Sequence, residues 1–196
     1  MATKYILQSG GIRNHPAKRK KFHQEVFAGT KKPNVLICFF AQPRENWEEK
    51  YPMSCQSIEE DTTANATYRL AMPSTFEDDC KWADIIYMLG GDDNLIQYWL
   101  RQFDIPKIWE GKIVSGNSAS SHALVKQFWT CDWRKCMDGT GIIPIKFLAH
   151  FKGTYGSDDP RGPIDWDAAK KELEGYGNTS LTVHALEEGD YIVIEQ

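Results

Sequence analysis

Short apolar runs alternate with amphipathic segments along most of the chain. Continuous runs at residues 35–40 and 84–89 combine β-branched and aromatic side chains, which is typical of strands buried on both faces. After the second run, apolar residues recur at helical spacing from Leu95 to Phe103. Strands separated by helices predict parallel βαβ units. We therefore expect an α/β fold, a three-layer α/β/α sandwich around a mostly parallel sheet.

The same reasoning predicts the remaining elements. Further strands are expected at residues 5–7, 68–71, 112–115 and 141–145. Helices are expected at residues 16–28, 44–58 with an interruption near Pro52, 76–82, from Ser118 to about 127, and 167–174. Residues 181–185 and 191–195 are expected to form a closing hairpin, and residues 153–163 a loop that could rim a site.

Length and composition fit one globular domain over residues 1–196. The apolar fraction is 41% and the charged fraction 26%, both ordinary for a soluble protein. The net charge of -4 gives no general attraction to nucleic acid or anionic membranes, so neither is expected as a partner. The basic run at residues 18–21 is interpreted as the solvated face of a helix. No signal peptide or apolar segment of membrane-spanning length is visible, which predicts a cytoplasmic protein.

The five cysteines are scattered along the chain and are expected to be free thiols. Cys131 and Cys136 lie five residues apart, but no second Cys/His pair stands at a metal-ligand spacing. The sequence therefore predicts no metal and no organic cofactor.

Two strand ends carry the candidate chemistry, because open α/β sheets bind ligands at the carboxyl ends of their strands. One is the Gly-Gly-Asp-Asp sequence at residues 90–93, and the other is Gly-Asn-Ser-Ala-Ser at residues 116–120. A serine on a sharp turn between a strand and a helix is typical of a nucleophile elbow, which makes Ser118 the candidate nucleophile. The competing interpretation is an ordinary helix-capping serine. In an elbow, the Ala119 N–H and a donor from Gly90 or Gly91 would form the oxyanion hole.

A serine nucleophile needs a base and an orienting acid. His150 is the best candidate for the base because it follows a predicted strand and would arrive on a separate loop. His122 lies on the elbow helix itself, where its geometry for deprotonating Ser118 is poor. Asp132 and Asp138 are the candidate acids, and sequence spacing does not choose between them.

The order of these motifs resembles the peptidase E-like serine peptidases, peptidase family S51, which include aspartyl dipeptidases and cyanophycinases. The resemblance covers most of the chain, from the first strand to the Leu-Glu-Glu-Gly sequence at residues 186–189. It implies a class I glutamine amidotransferase-like fold and removal of an N-terminal aspartate from short peptides, with a monomer or homodimer as the assembly. It further implies Ser118 as nucleophile, His150 as base, Asp132 as acid, and Gly91 and Ala119 as oxyanion donors.

Three positions depart from the family pattern. Ser120 stands where the family elbow usually has Gly, while Asp92 and Asp93 stand where Asn or Gln is usual. These departures keep open a second hypothesis, a non-catalytic or altered-specificity member of the fold that binds a small ligand or a partner. A cysteine nucleophile is not favoured, because no cysteine lies at a strand-to-helix elbow.

Overall fold

The computed structural model describes residues 2–196 and contains two β-sheets with helices packed against them. Its strands are β1 (Lys4–Gln8), β2 (Asn34–Cys38), β3 (Thr67–Leu70), β4 (Ile85–Met88), β5 (Ile113–Asn117), β6 (Val125–Thr130), β7 (Lys135–Asp138), β8 (Ile143–Leu148), β9 (Val183–Ala185) and β10 (Tyr191–Glu195). Its α-helices are α1 (Pro16–Val26), α2 (Trp47–Asp61), α3 (Phe76–Trp82), α4 (Asp93–Leu100), α5 (Ala119–Leu124) and α6 (Trp166–Gly175).

The larger sheet has six strands in the order β10-β1-β5-β4-β2-β3. All of its pairings are parallel except that of β10, which runs antiparallel to β1. Gln8 pairs with Asn117, and Met88 pairs with Gly116. The carboxyl ends of β1, β4 and β5 therefore meet at one edge, where an open α/β sheet places its ligand site. The α/β class and the mostly parallel sheet are as the sequence predicts.

The second sheet has four strands in the order β7-β6-β8-β9. Its own apolar cluster includes Trp129, Leu148 and Leu173, so that α6 packs on one face of it. Lys146 is fully buried in β8, and its Nζ donates to the carbonyls of Leu173, Glu174 and Tyr176. A lysine thus satisfies the carbonyls at the end of α6, which an α-helix otherwise leaves unpaired.

Three local predictions are wrong. Helix α2 continues through Pro52 to Asp61, because this exposed proline costs a single backbone hydrogen bond on the solvated side of the helix. Helix α5 ends at Leu124 and leads at once into β6, so the predicted helix to residue 127 is too long. Finally, β9 and β10 do not form a hairpin, because β9 pairs with β8 and β10 pairs with β1 in the other sheet.

Within residues 2–196, no helix is both long enough and apolar enough to cross a membrane. The five cysteines all carry free thiols.

Candidate active site

Ser118 occupies the sharp turn between β5 and α5. Its backbone has φ 49° and ψ -112°, a conformation that residues other than glycine rarely adopt and that recurs at functional sites. A side chain on Gly116 would place its Cβ 2.9 Å from the Ser121 nitrogen, so glycine there allows α5 to start close to the strand. The Ser118 side chain makes no capping hydrogen bond to α5. The geometry is therefore that of an elbow and differs from that of a capping serine.

His150 brings its imidazole to Ser118 from the end of β8. The Ser118 Oγ lies 3.2 Å from His150 Nε2, within reach of a hydrogen bond. The hydroxyl of Ser9 accepts from the His150 backbone N–H at 2.9 Å and donates to the Leu186 carbonyl at 2.8 Å. A Cβ on Gly10 would stand 2.3 Å from His150 Nε2. The loop after β1 therefore leaves room for the imidazole ring only because position 10 is glycine.

Glu188 completes a hydrogen-bonded chain with these two residues. Its Oε1 lies 3.0 Å from His150 Nδ1, and its side chain is 12% exposed. Gly11 and Gly153 flank the carboxylate so closely that a Cβ on either would come within 2.9 Å of it. A carboxylate at Nδ1 fixes the tautomer in which Nε2 can accept a proton from serine.

The structure differs from the sequence-based expectation in the position of the acid. Asp132 is exposed, and its Oδ1 accepts from the Tyr155 hydroxyl at 2.7 Å instead of from His150. Asp138 lies on β7, where it accepts from Gln127 at 3.3 Å. Asp132 reaches the site only indirectly, because the Tyr155 ring stacks on the His150 ring with centroids 4.2 Å apart. Glu188 was missed because the segment carrying it was predicted to be the turn of a hairpin.

The surroundings of His150 favour its neutral form. Burial lowers the pKa of His150 below its usual range, although the neighbouring Glu188 carboxylate partly opposes this effect. A neutral imidazole that donates its Nδ1–H to the Glu188 carboxylate has a free lone pair at Nε2. His150 is therefore able to act as a general base at neutral pH.

The predicted oxyanion donors, Gly91 and Ala119, both lie near Ser118. Gly91 has φ 156°, and a Cβ there would stand 2.1 Å from the Ala41 carbonyl oxygen, so no other residue fits this turn. Ala119 is the first residue of α5, where backbone N–H groups have no partner within the helix. Both residues and Ser118 line one small cavity of about 10 Å³.

Ser120 ties the elbow helix to the loop that carries Gly91. It is fully buried, and its Oγ donates to the Leu89 carbonyl at 2.7 Å. The serine that replaces the family's glycine therefore fits with its hydroxyl satisfied.

The two acidic residues that depart from the family pattern are both engaged within the protein. Asp92 caps α4 by accepting from the N–H groups of Asn94 and Leu95. Asp93 is buried, and its Oδ1 lies 2.8 Å from His122 Nδ1. Burial acts to raise the pKa of Asp93, but His122 and the Thr130 hydroxyl outweigh it and lower the pKa below the usual range. Neither carboxylate faces the large cavity.

A cavity of about 660 Å³ opens beside Ser118 and His150, a size suited to small-molecule ligands. It extends over the carboxyl ends of the strands towards α1 and α2. Three cationic side chains line it, Arg13, Arg19 and Lys50, and none of its lining residues is acidic. Arg19 is paired with Asp61, so the excess positive charge of the lining comes from Arg13 and Lys50. Within residues 2–196, no group of three His, Cys, Asp or Glu side chains is placed to hold a metal ion.

Comparison with solved structures finds proteins of similar fold. The structure is similar to the crystal structure of a peptidase from an acI-B1 actinobacterium, with a TM-score of 0.67 and 20% identity over 99% of this chain and 84% of that one. It is also similar to a protein from Listeria monocytogenes EGD-e provisionally named a peptidase E, with a TM-score of 0.67 and 13% identity over 100% and 95% of the two chains. No protein-family model and no curated protein matches the sequence. At these identities the similarity establishes a peptidase E-like fold.

Proposed function

We propose that this protein is a serine peptidase that hydrolyses short peptides through Ser118, His150 and Glu188. The observation that carries the proposal is the continuous chain from Ser118 Oγ through both imidazole nitrogens to the Glu188 carboxylate. This arrangement of nucleophile, base and orienting acid is sufficient for acyl transfer.

In the first half of the reaction, Ser118 Oγ attacks the scissile carbonyl carbon while His150 Nε2 takes the hydroxyl proton. Glu188 stabilises the imidazolium that forms, and the backbone N–H groups of Gly91 and Ala119 bind the oxyanion. Collapse of the tetrahedral intermediate breaks the C–N bond, and His150 protonates the leaving amine. In the second half, water loses a proton to His150 and attacks the acyl ester, which releases the acid and regenerates Ser118.

The large cavity supports a small, negatively charged substrate. Its volume of about 660 Å³ accommodates a dipeptide. Arg13 and Lys50 line it and no lining residue is acidic, so it attracts a carboxylate and disfavours a basic side chain. This charge fits the Asp-X dipeptides that the family resemblance implies.

A dipeptide panel with aspartate or another residue at the first position tests the proposal. We expect the wild-type protein to hydrolyse Asp-X peptides and the Ser118→Ala variant to lose this turnover. The alternative function, ligand binding on an inactive site, predicts no hydrolysis by either protein and no covalent reaction of Ser118 with a fluorophosphonate probe.

A further inference from the structure

A second polar network lies in the floor of the large cavity, away from the triad. His23 and Tyr87 both line the cavity and are almost fully buried, with 2% and 4% exposure. His23 Nε2 lies 2.9 Å from the Tyr87 hydroxyl, and His23 Nδ1 lies 2.8 Å from Asp61 Oδ2. Arg19 donates to the same carboxylate from Nε at 2.7 Å. No motif in the sequence indicates this network.

The charge states of these residues determine which group donates and which accepts in each hydrogen bond of the network. Burial acts to raise the pKa of Asp61, but Arg19 and His23 outweigh it and hold the pKa low, so Asp61 is ionised and only accepts. Burial lowers the pKa of His23 and raises that of Tyr87, so both are neutral at neutral pH. His23 must therefore donate from Nδ1 to Asp61, which leaves Nε2 as an acceptor.

The Tyr87 hydroxyl therefore donates its hydrogen bond to His23 Nε2. The phenolic oxygen retains lone pairs, so a ligand in the cavity meets it as a hydrogen-bond acceptor. A carboxylate has no proton to offer this acceptor. Arg19 is neutralised by its ion pair with Asp61, so the cations that disfavour an ammonium group in the cavity are Arg13 and Lys50. Neutral N–H and O–H donors remain, such as a carboxamide or a hydroxyl group.

We propose that Tyr87, held by His23, is a specificity-determining residue that selects substrates with a neutral carboxamide or hydroxyl side chain at the position facing it. This proposal rests on the proposed peptidase function for its biological meaning, while the polarity of the subsite depends only on the network. A buried acceptor discriminates well, because a ligand without a donor leaves it unpaired.

Near-isosteric substrate pairs test the proposal. Asp-Thr is compared with Asp-Val, Asp-Asn with Asp-Leu, and Asn-Ala with Leu-Ala, which covers both sides of the scissile bond. We expect the wild-type protein to prefer the donor-bearing peptide at one of the two positions by about tenfold in kcat/KM, mainly through KM. Tyr87→Phe should abolish that preference.

The matched control is Tyr68→Phe. Tyr68 lies on β3, and its hydroxyl is buried without a hydrogen-bond partner in the described part of the chain, but Tyr68 does not line the cavity. This variant should keep the wild-type preference. Equal preferences in the wild-type and Tyr87→Phe proteins would overturn the proposal, as would the same loss in Tyr68→Phe.

Two measurements on the Ser118→Ala variant separate this proposal from the proposed function. Nitrogen-15 NMR of labelled histidine should show the Nδ1–H tautomer of His23, and an Nε2–H tautomer would contradict the subsite. Calorimetry should show that the donor-bearing peptide of the selected pair binds about tenfold more tightly than its isostere. Equal binding within every pair would overturn the subsite, whereas absent turnover with unequal binding would overturn only the peptidase function.

Discussion

Two buried histidine–carboxylate pairs flank Ser118, and only one of them can act on it. Nδ1 of His150 lies 3.0 Å from a carboxylate oxygen of Glu188, and Nδ1 of His122 lies 2.8 Å from a carboxylate oxygen of Asp93. The two pairs differ in the hydrogen-bond partner of the histidine Nε2 atom. His150 Nε2 faces the Ser118 hydroxyl, whereas His122 Nε2 is buried without a hydrogen-bond partner in residues 2–196. A histidine bound to a carboxylate is therefore not enough to identify a catalytic base.

The elbow backbone explains this difference. His122 donates its backbone N–H to the Ser118 carbonyl at 3.0 Å, which fixes it one helical turn further along α5. Its ring stacks on Phe128 with centroids 4.5 Å apart. The positive φ of Ser118 takes its side chain off the face of α5, towards the loop after β8. The base must therefore come from another element.

The largest expected effect separates the two histidines directly. His150→Asn removes the base and should lower kcat/KM for the best dipeptide by on the order of 10⁵-fold. His122→Asn should lower it by less than about tenfold, because the His122 ring is hydrogen-bonded to Asp93 and not to the Ser118 hydroxyl. Steady-state kinetics on both variants, with folding checked by circular dichroism, makes the comparison. Similar losses in the two variants would contradict the assignment.

The next effect separates the two candidate acids. Glu188→Gln should reduce kcat by on the order of 10²–10⁴-fold, because an amide cannot stabilise the imidazolium. Asp132→Asn should cost less than about tenfold, since its side-chain oxygen can still accept from Tyr155. A larger loss for Asp132→Asn than for Glu188→Gln, measured on the same peptide, would make Asp132 the essential acid.

The pH dependence of kcat/KM sharpens the role of His150. Activity requires the neutral imidazole, so it should rise with pH through the pKa of His150. Because burial lowers that pKa, the midpoint of the acidic limb should lie below the ordinary histidine value of about 6.5. In Glu188→Gln the midpoint should fall further, since Glu188 raises this pKa. A shift to higher pH in the variant would exclude a direct electrostatic interaction between the two groups.

The pair of Asp93 and His122 should act on stability more than on catalysis. Asp93→Asn should lower the free energy of unfolding by about 1–3 kcal/mol at neutral pH. The lowered pKa of Asp93 stabilises the fold at pH values above the unfolded-state pKa of about 3.9. This contribution is lost as the pH falls through the pKa of Asp93 in the folded state. Denaturant titrations at pH 7 and at about pH 2, below the lowered pKa of Asp93, should therefore show a smaller difference between variant and wild type at the lower pH. An equal difference at both pH values would contradict this linkage.

The smallest expected effect concerns Ser120. Ser120→Ala leaves the Leu89 carbonyl without its hydroxyl donor and should cost about 1 kcal/mol of stability. Ser118 keeps its position in the turn, so kcat/KM should stay within about threefold of wild type. A large loss of activity at unchanged stability would show that Ser120 acts in the reaction.

The elements near Ser118 could be predicted from sequence because their signals are local. The apolar runs of β4 and β5, and the glycines that follow them, indicate both the sheet and the turn that carries Ser118. The approach of His150 also follows from its place after a predicted strand. These features depend on periodicity and on backbone conformation, which neighbouring residues largely determine.

The second sheet and the position of Glu188 beside His150 could not be predicted because they depend on pairing between distant segments. Strand β9 pairs with β8 in one sheet, while β10 pairs with β1 in the other. The segment between β9 and β10 therefore crosses from one sheet to the other and brings Glu188 to His150. The sequence pattern shows two strands and a turn in either arrangement. The choice of pairing partner for each strand therefore decides where Glu188 lies.

Covalent labelling of Ser118 tests the central claim most directly. The wild-type, Ser118→Ala and Glu188→Gln proteins would be treated with a fluorophosphonate probe, and the labelled peptide identified by mass spectrometry. Our account predicts rapid labelling of Ser118 in the wild type, none in Ser118→Ala, and much slower labelling in Glu188→Gln. An unreactive Ser118 in the folded wild-type protein would contradict it and would favour a ligand-binding protein on a peptidase-like fold.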